Sequence, residues 1–222
     1  MNDRVKETHS ARIAGILTER IIEGEIGPGT RLRQDHITSE FGVSHVPVRE
    51  AFRALQAQGL AEALPRRGFR VTEFNLAELR EVAEMRASLE ALALRHAAPN
   101  LTKEILLKAA KATAHGEAAE NVHDWEQANR QFHRVILSPC QMPRLLRTID
   151  ELHLASARFL FAAWRRDWEA RTDHDHRRIL GALRKGEVDL ACSTLAQHVG
   201  WIGRRANLRK STYGKVGYNF FG

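Results

Sequence analysis

The sequence predicts a mainly α-helical protein, built from an N-terminal winged helix-turn-helix and a C-terminal all-helical bundle. The first part is predicted by three short helical patterns followed by a run typical of two strands, all before residue 75. The second part is predicted by the rest of the chain, whose apolar residues recur at helical spacing throughout. We therefore expect one domain over residues 1–74 and a second over residues 75–222.

Composition excludes a membrane protein and a disulfide scaffold. The chain has 222 residues, and 43% of them are hydrophobic, which is enough to bury a core. No apolar run approaches the roughly 18 residues of a membrane span, and the first ten residues are charged. Cys140 and Cys192 form no paired motif, which fits a reducing compartment. We expect a soluble, cytoplasmic protein without an export signal.

The net charge of +7 indicates an anionic partner but does not locate its binding surface. Residues 1–75 hold 11 lysines and arginines against 10 aspartates and glutamates, so most of the excess positive charge lies downstream. A nucleic-acid hypothesis must therefore rest on where individual arginines stand.

The first two helices are predicted by apolar spacing and by their termination signals. Ile13, Leu17 and Ile21 recur at helical spacing before the turn signal Gly27-Pro28-Gly29. A second helix follows at about residues 34–41 and is expected to end at Gly42, because glycine suits a left-handed helix terminus.

The third helix presents two different faces. Ser44 can cap it, and a proline in its first turn, Pro47, is tolerated because those backbone donors have no intrahelical acceptor. One face is apolar and should be buried, whereas the other is basic and should be exposed. The apolar set is Val48, Ala51, Phe52 and Leu55, and the basic set is His45, Arg49 and Arg53. Two short strands then turn at Arg66-Arg67-Gly68.

Six further helices are predicted after residue 75. Asn75 with Glu78, and Asp124 with Gln127, resemble capping boxes, while Thr102 and Thr172 are further candidate caps. The expected helices lie near residues 76–97, 103–115, 124–137, 143–168, 173–185 and 188–209.

Several polar residues interrupt the apolar stripes of these helices, where burial without a partner costs several kcal/mol. Arg86 shares a stripe with Leu79, Val82 and Leu89, so its guanidinium should lie inside and needs a nearby anion. Glu90, one turn further on, can be its salt-bridge partner.

Four more inward polar residues come from three different helices. They are Asn129 and His133 on one helix, His176 on another and His198 on the last. Each histidine alone is more often a core residue than a ligand. Three imidazoles and an amide oxygen directed inward are, however, a plausible set for a divalent transition metal, zinc or nickel above all. A cation beside a guanidinium would make the interior electropositive and suited to a small organic acid.

The segment from Ile16 to Val71 resembles the GntR family of bacterial transcription factors. The resemblance lies in IIEGEIGPGTRL, FGVS, PVREAFRALQAQGL and PRRGFRV. It implies that double-stranded DNA is contacted by Arg33, Ser44, His45, Arg49, Arg67 and Gly68. His45 stands where arginine is usual, so a bidentate guanine contact there becomes at most a single donor.

Most of residues 76–205 resemble the FadR-like, FCD-type ligand-binding domain. The motifs are EMRASLEALALRHAA, NRQFHRVI, DHDHRRILGALRKGE and ACSTLAQHV. The resemblance implies a helical bundle whose metal, held by an acidic residue and three histidines, anchors a carboxylate effector that Arg86 also contacts. Asn129 stands where aspartate is commoner, which removes one negative charge from the set.

We therefore expect a homodimeric regulator that binds a palindromic operator, responds to a small carboxylate and more often represses than activates. Two alternatives stay open at this stage. The metal itself can be the signal, or a three-histidine metal with an open position can hydrolyse a substrate, although no convincing general base is present.

Overall fold

The computed structural model describes residues 8–73, 75–164 and 174–213; the side chains of residues 76, 162–164 and 202–213 are not described. Its contacts divide the chain into two compact units. One holds the chain up to residue 74 together with residues 157–162, and the other holds residues 75–156 and those from 163 onward.

The N-terminal unit is a winged helix-turn-helix. Its elements are α1 (His9–Ile22), β1 (Arg31–Leu32), α2 (Gln34–Phe41), α3 (His45–Ala57), β2 (Ala61–Leu64) and β3 (Gly68–Val71). The three strands form an antiparallel sheet in the order β1-β3-β2. The sequence predicted every element of this unit except β1, whose two residues are too few to show an alternating pattern.

Helix α3 is held by its apolar face, as predicted. Its four apolar residues are all 0% exposed, whereas Arg49 and Arg53 are exposed. Gly42 ends α2 in the left-handed conformation, with φ of 63°, which glycine adopts at little cost. Ser44 occupies the N-cap position of α3, but its side chain makes no capping hydrogen bond. This corrects the prediction that Ser44 caps the helix through its side chain.

The second unit is built from helices, and its described residues include no strand. Its elements are α4 (Leu76–Ala97), α5 (Lys103–Glu117), α6 (Val122–Leu137), most of α7 (Pro143–Trp164), α8 (His174–Lys185) and α9 (Val188–Tyr213), with 3-10 turns at Ala98–Asn100 and Ser138–Cys140. Residues 157–162 of α7 group with the first unit. Helix α4 packs on α9, α5 on α6, and α8 on α9. The core where they meet includes Leu94, Phe132, Ile136, Ile179 and Leu195, each 0% exposed.

Two of the predicted helix caps are confirmed in this unit and one is corrected. The side chains of Asn75 and Thr102 accept hydrogen bonds from the first turns of α4 and α5, as expected. The prediction for α6 was wrong: Asn121 is the N-cap and accepts from the Asp124 nitrogen at 2.9 Å, so Asp124 lies inside the first turn. The predicted cap Thr172 and the predicted boundaries at 168 and 173 lie outside the described residues.

Candidate functional site

The N-terminal unit carries an exposed basic surface, which we call the head surface and define by Arg33, Ser44, His45, Arg49, Arg67 and Gly68. All six residues are exposed. Arg33 precedes α2, the next three lie at the start of α3, and the last two lie at the β2–β3 turn. The structure therefore places every residue implied as a DNA contact where a large partner can reach it.

The geometry of this surface suits a duplex. A helix whose first turns carry exposed donors can enter the major groove, and a hairpin tip beside it can contact the backbone or minor groove. The tip is braced, because Arg31 donates from Nη2 to the Arg67 carbonyl at 3.1 Å. Gly68 has φ of 84°, a conformation that side-chain-bearing residues rarely adopt. His45 Nε2 lies 3.9 Å from Asp35 Oδ1. The Asp35 side chain is 96% exposed, so this pairing holds the imidazole only weakly.

In the helical unit the three predicted histidines converge. His133, His176 and His198 each offer one ring nitrogen, and these atoms lie within 4.8 Å of one another. His176 Nε2 and His198 Nε2 are 3.2 Å apart. His133 and His176 are 1% exposed, while the His198 side chain is 18% exposed. We call this set the histidine cluster.

Two further residues of α6 concern the histidine cluster: Phe132 packs on one of its rings, and Asn129 is the fourth predicted ligand. Phe132, one position before His133 on α6, stacks on the His176 ring with the centroids 3.7 Å apart. Asn129 lies one helical turn before His133 and is 8% exposed. Its Oδ1 is buried and has no hydrogen-bond partner among the described residues. A buried amide oxygen without a donor is unusual, and an electron-pair acceptor such as a metal ion would satisfy it.

Arg86, Glu90 and His153 form a second group of buried polar residues, of which only Arg86 and Glu90 were named from the sequence. Arg86 is 2% exposed and pairs with Glu90, which is 0% exposed. The Glu90 Oε1 accepts from Arg86 Nε at 2.9 Å, with Arg86 Nη2 2.8 Å away. The anion that buried Arg86 requires is therefore supplied by the chain itself. Glu90 is the salt-bridge partner that the sequence offered for Arg86, and this pairing is confirmed. The electropositive interior expected from a cation beside a guanidinium would therefore depend on a bound cation and not on Arg86.

Glu90 also contacts two histidines. Its Oε2 lies 2.6 Å from His133 Nδ1, and its Oε1 lies 3.2 Å from His153 Nε2. His153 is 2% exposed and was not predicted. The signal that reveals it is the one that found the others, since His153 follows Ile149 by one turn on a buried stripe of α7.

Glu90, His133 and His153 form a second set of three potential ligands within 4.8 Å. A cation is disfavoured there, because Arg86 Nη2 lies 3.1 Å from His153 Nε2 and its guanidinium already occupies Glu90. The histidine cluster contains no such cation. Of the two sets, it is the better candidate for a metal ion.

Electrostatics set the protonation of these groups. Burial alone would raise the pKa of Glu90, but Arg86 together with His133 and His153 holds it well below the usual value. Burial lowers the pKa of His133 to about 4, despite the opposing effect of Glu90. Burial, with a contribution from Arg86, lowers the pKa of His153 to about 4. At neutral pH Glu90 is therefore ionised and both imidazoles are neutral, which is the form that binds metals.

The chain is similar to known bacterial transcriptional regulators. The gntR family of bacterial regulatory proteins matches residues 9–71, and the FCD domain matches residues 81–200. The chain is 30% identical to the probable D-xylose utilization operon transcriptional repressor of Paenarthrobacter nicotinovorans, over 87% of each protein. It is 32% identical to the HTH-type transcriptional regulator BphR of Paraburkholderia xenovorans, over 63% of this chain but only 60% of that protein.

A solved structure of a GntR-family regulator is also similar to this chain. A GntR-family transcriptional regulator from Pseudomonas syringae pv. tomato matches 94% of this chain and 89% of its own, with 28% identity and a TM-score of 0.57. No helix in the described part of the chain is both long enough and apolar enough to cross a membrane.

Proposed function

Because the chain belongs to the GntR family of bacterial transcriptional regulators and contains an FCD domain, we propose that it is a homodimeric repressor whose DNA binding responds to a metal-anchored organic acid. Proteins of this family regulate transcription and are not enzymes, so the hydrolase alternative is set aside. Since its target is bacterial DNA, we place its action in the cytoplasm. Repression is favoured by the name of the Paenarthrobacter relative, a probable repressor.

The head surface supports operator binding. Arg49 lies on a helix whose apolar face is buried, and Arg67 lies at a turn that Arg31 braces. The backbone that carries these two side chains is therefore already ordered before DNA binds, which lowers the entropic cost of binding. Palindromic operators match two-fold symmetric proteins. A dimer is supported by α4, where Met85 is 41% exposed and Leu92, seven residues later on the same face, is 42% exposed. A second copy would remove this apolar surface from water.

Replacing Arg49 tests the head surface directly. Arg49→Ala should weaken operator binding by about 1–3 kcal/mol, because Arg49 lies on the exposed face of α3 where base edges are reached. Titrating a labelled operator in a gel shift measures the change. Arg12→Ala, which removes the same charge from an exposed position on α1, is the matched control and should bind nearly normally. Equal affinity of both variants and wild type would exclude this face as the DNA reader.

The observation that carries the effector proposal is the convergence of three imidazoles beside a buried amide oxygen that has no partner among the described residues. A divalent zinc or nickel ion bound by Asn129, His133, His176 and His198 would keep its full double charge, because none of these ligands is anionic. Glu90 already balances Arg86, so it does not neutralise the ion. A bound carboxylate would supply the missing negative charge in this buried setting.

We further propose that Arg86 contacts the same carboxylate. Its bonds to Glu90 and His153 engage Nε and Nη2, so an effector has to take Nη1 or displace Glu90. Binding would then alter the contacts between α4, α6 and α7. An effector can change DNA affinity only through different affinities for the states that fit and do not fit the operator.

Thermal unfolding with added metal and acid tests the effector proposal. Zinc or nickel at 100 times its dissociation constant should stabilise the protein by about 2.7 kcal/mol, and a matching sugar acid, dicarboxylate or amino-acid derivative should add to this. Both shifts should disappear with a chelator and in His133→Ala. In Arg86→Lys the shift caused by the acid should fall while the metal shift persists.

The control for this experiment is His115→Ala, which removes an exposed histidine of α5 and should keep both shifts. Acid-induced shifts that survive His133→Ala would contradict the proposed site. If metal alone released the operator and no acid changed that release, the protein would be a metal sensor, which is the second candidate function.

A further inference from the structure

We propose that Glu90 is a positioning residue, which fixes the nitrogen that His133 offers to a metal ion. The inference rests on the proposed metal site, but its first test does not require metal. The residue lies on α4, whereas its target lies on α6, so the contact is made by the fold and not by local spacing.

The geometry assigns the ring nitrogens of His133. Its Nδ1 lies 2.6 Å from Glu90 Oε2, and both groups are almost fully buried. Because Glu90 is paired with the Arg86 guanidinium, its carboxylate accepts hydrogen bonds and donates none, so the neutral His133 ring carries its proton on Nδ1. The Nε2 atom is then left with a free electron pair. It is buried and has no hydrogen-bond partner among the described residues.

Arg86 completes the arrangement by holding Glu90. The guanidinium contacts Oε1, which leaves Oε2 directed at His133. The Arg86 guanidinium holds the Glu90 carboxylate, and the carboxylate in turn orients the His133 ring. Hydrogen-bonded carboxylates orient histidine ligands in metal proteins in the same way. Arg86 therefore has a role toward the site even before any effector arrives.

A second carboxylate in the same region provides an internal comparison. His198 Nδ1 lies 3.4 Å from Asp175 Oδ2, so His198 also presents Nε2 toward the histidine cluster. The Asp175 side chain is 42% exposed, and its longer contact is weakened by water. Asp175 should therefore matter much less than Glu90.

The tautomer of His133 can be measured in metal-free protein labelled with ¹⁵N-histidine. Wild type should show the proton on Nδ1 of His133. In Glu90→Gln the amide can either accept from or donate to Nδ1, so the form with the proton on Nε2 should become detectable. A wild-type His133 with its proton on Nε2 would overturn the inference, and this outcome does not depend on how any variant folds.

Zinc affinity gives the second measurement, by competition with a chromophoric chelator. Glu90→Gln should weaken zinc binding about 10–100-fold, as loss of such a hydrogen bond does elsewhere. Asp175→Asn, the matched control, should change it less than about threefold. Equal affinities of the two variants, with an unchanged tautomer in Glu90→Gln, would refute a positioning role. If wild type binds no zinc, the proposed metal site fails, while the tautomer still decides what Glu90 does to His133.

Discussion

Replacing Arg86 by methionine is expected to lower the free energy of unfolding of the helical unit by about 3–5 kcal/mol. The substitution keeps an apolar side chain of similar length but leaves the Glu90 carboxylate, which is 0% exposed, without its cation. An unpaired buried charge has lost its water without gaining a counterion. Such a loss is large relative to the stability of an ordinary domain.

Urea unfolding followed by tryptophan fluorescence measures this effect in the right unit. All four tryptophans follow residue 75, and Trp125 is buried on α6, so their emission reports on the helical unit. Arg134→Met is the matched control, because the Arg134 and Asp150 side chains are 59% and 43% exposed and such pairs contribute about 0–1 kcal/mol.

A double variant separates a lost charge pair from lost packing. Arg86→Met combined with Glu90→Leu should recover a large part of the stability, because a well-packed apolar pair often replaces a buried ion pair without loss. If Arg86→Met is no worse than Arg134→Met, the buried pair does not contribute as its burial implies. If the double variant is less stable than Arg86→Met, packing and not charge explains the effect.

Acidification should destabilise the metal-free helical unit between about pH 6.5 and pH 4. The pKa values of His133 and His153 are lowered to about 4 by burial, so the unfolded chain takes up their protons first as pH falls. Each unit of pKa difference corresponds to about 1.4 kcal/mol. Stability should be complete above about pH 6.5, and the loss should reach several kcal/mol near pH 4.

Two carboxylates modify this profile in opposite directions. The pKa of Glu90 is held well below its usual value, so its contribution is also lost as acid is added, at pH values below those of the histidines. Burial raises the pKa of Glu126, so acid stabilises the folded state at that residue and offsets a part of the loss.

Urea midpoints at a series of pH values, read by tryptophan fluorescence, test the prediction. His153→Gln should give a shallower dependence on pH than wild type, since it removes one of the two buried imidazoles without changing the proposed metal ligands. A wild-type midpoint that stays constant from pH 7 to pH 4.5 would contradict the expected protonation of these histidines.

The sequence could predict what local spacing determines. The two faces of α3 and the inward direction of Arg86, His133 and His176 follow from helical periodicity. The cap of α6 was misplaced because Asn121 and Asp124 are both good capping residues, and local chemistry alone does not choose between them.

Contacts between helices were beyond such reasoning. The pairing of Glu90 with Arg86 follows the spacing of one helical turn and was considered from the sequence. The contact of Glu90 with His133 joins α4 to α6 and required the fold. His153 had the same periodic signal as the other buried polar residues, so its burial was predictable, although its partners were not.

The three histidines of the cluster come from α6, α8 and α9, which are far apart along the chain. An ion bound to all three would act as a removable cross-link, because it would close long loops and reduce the freedom of the unfolded chain. Cellular proteases act on opened states, so metal supply would then also affect how long each copy of the regulator survives.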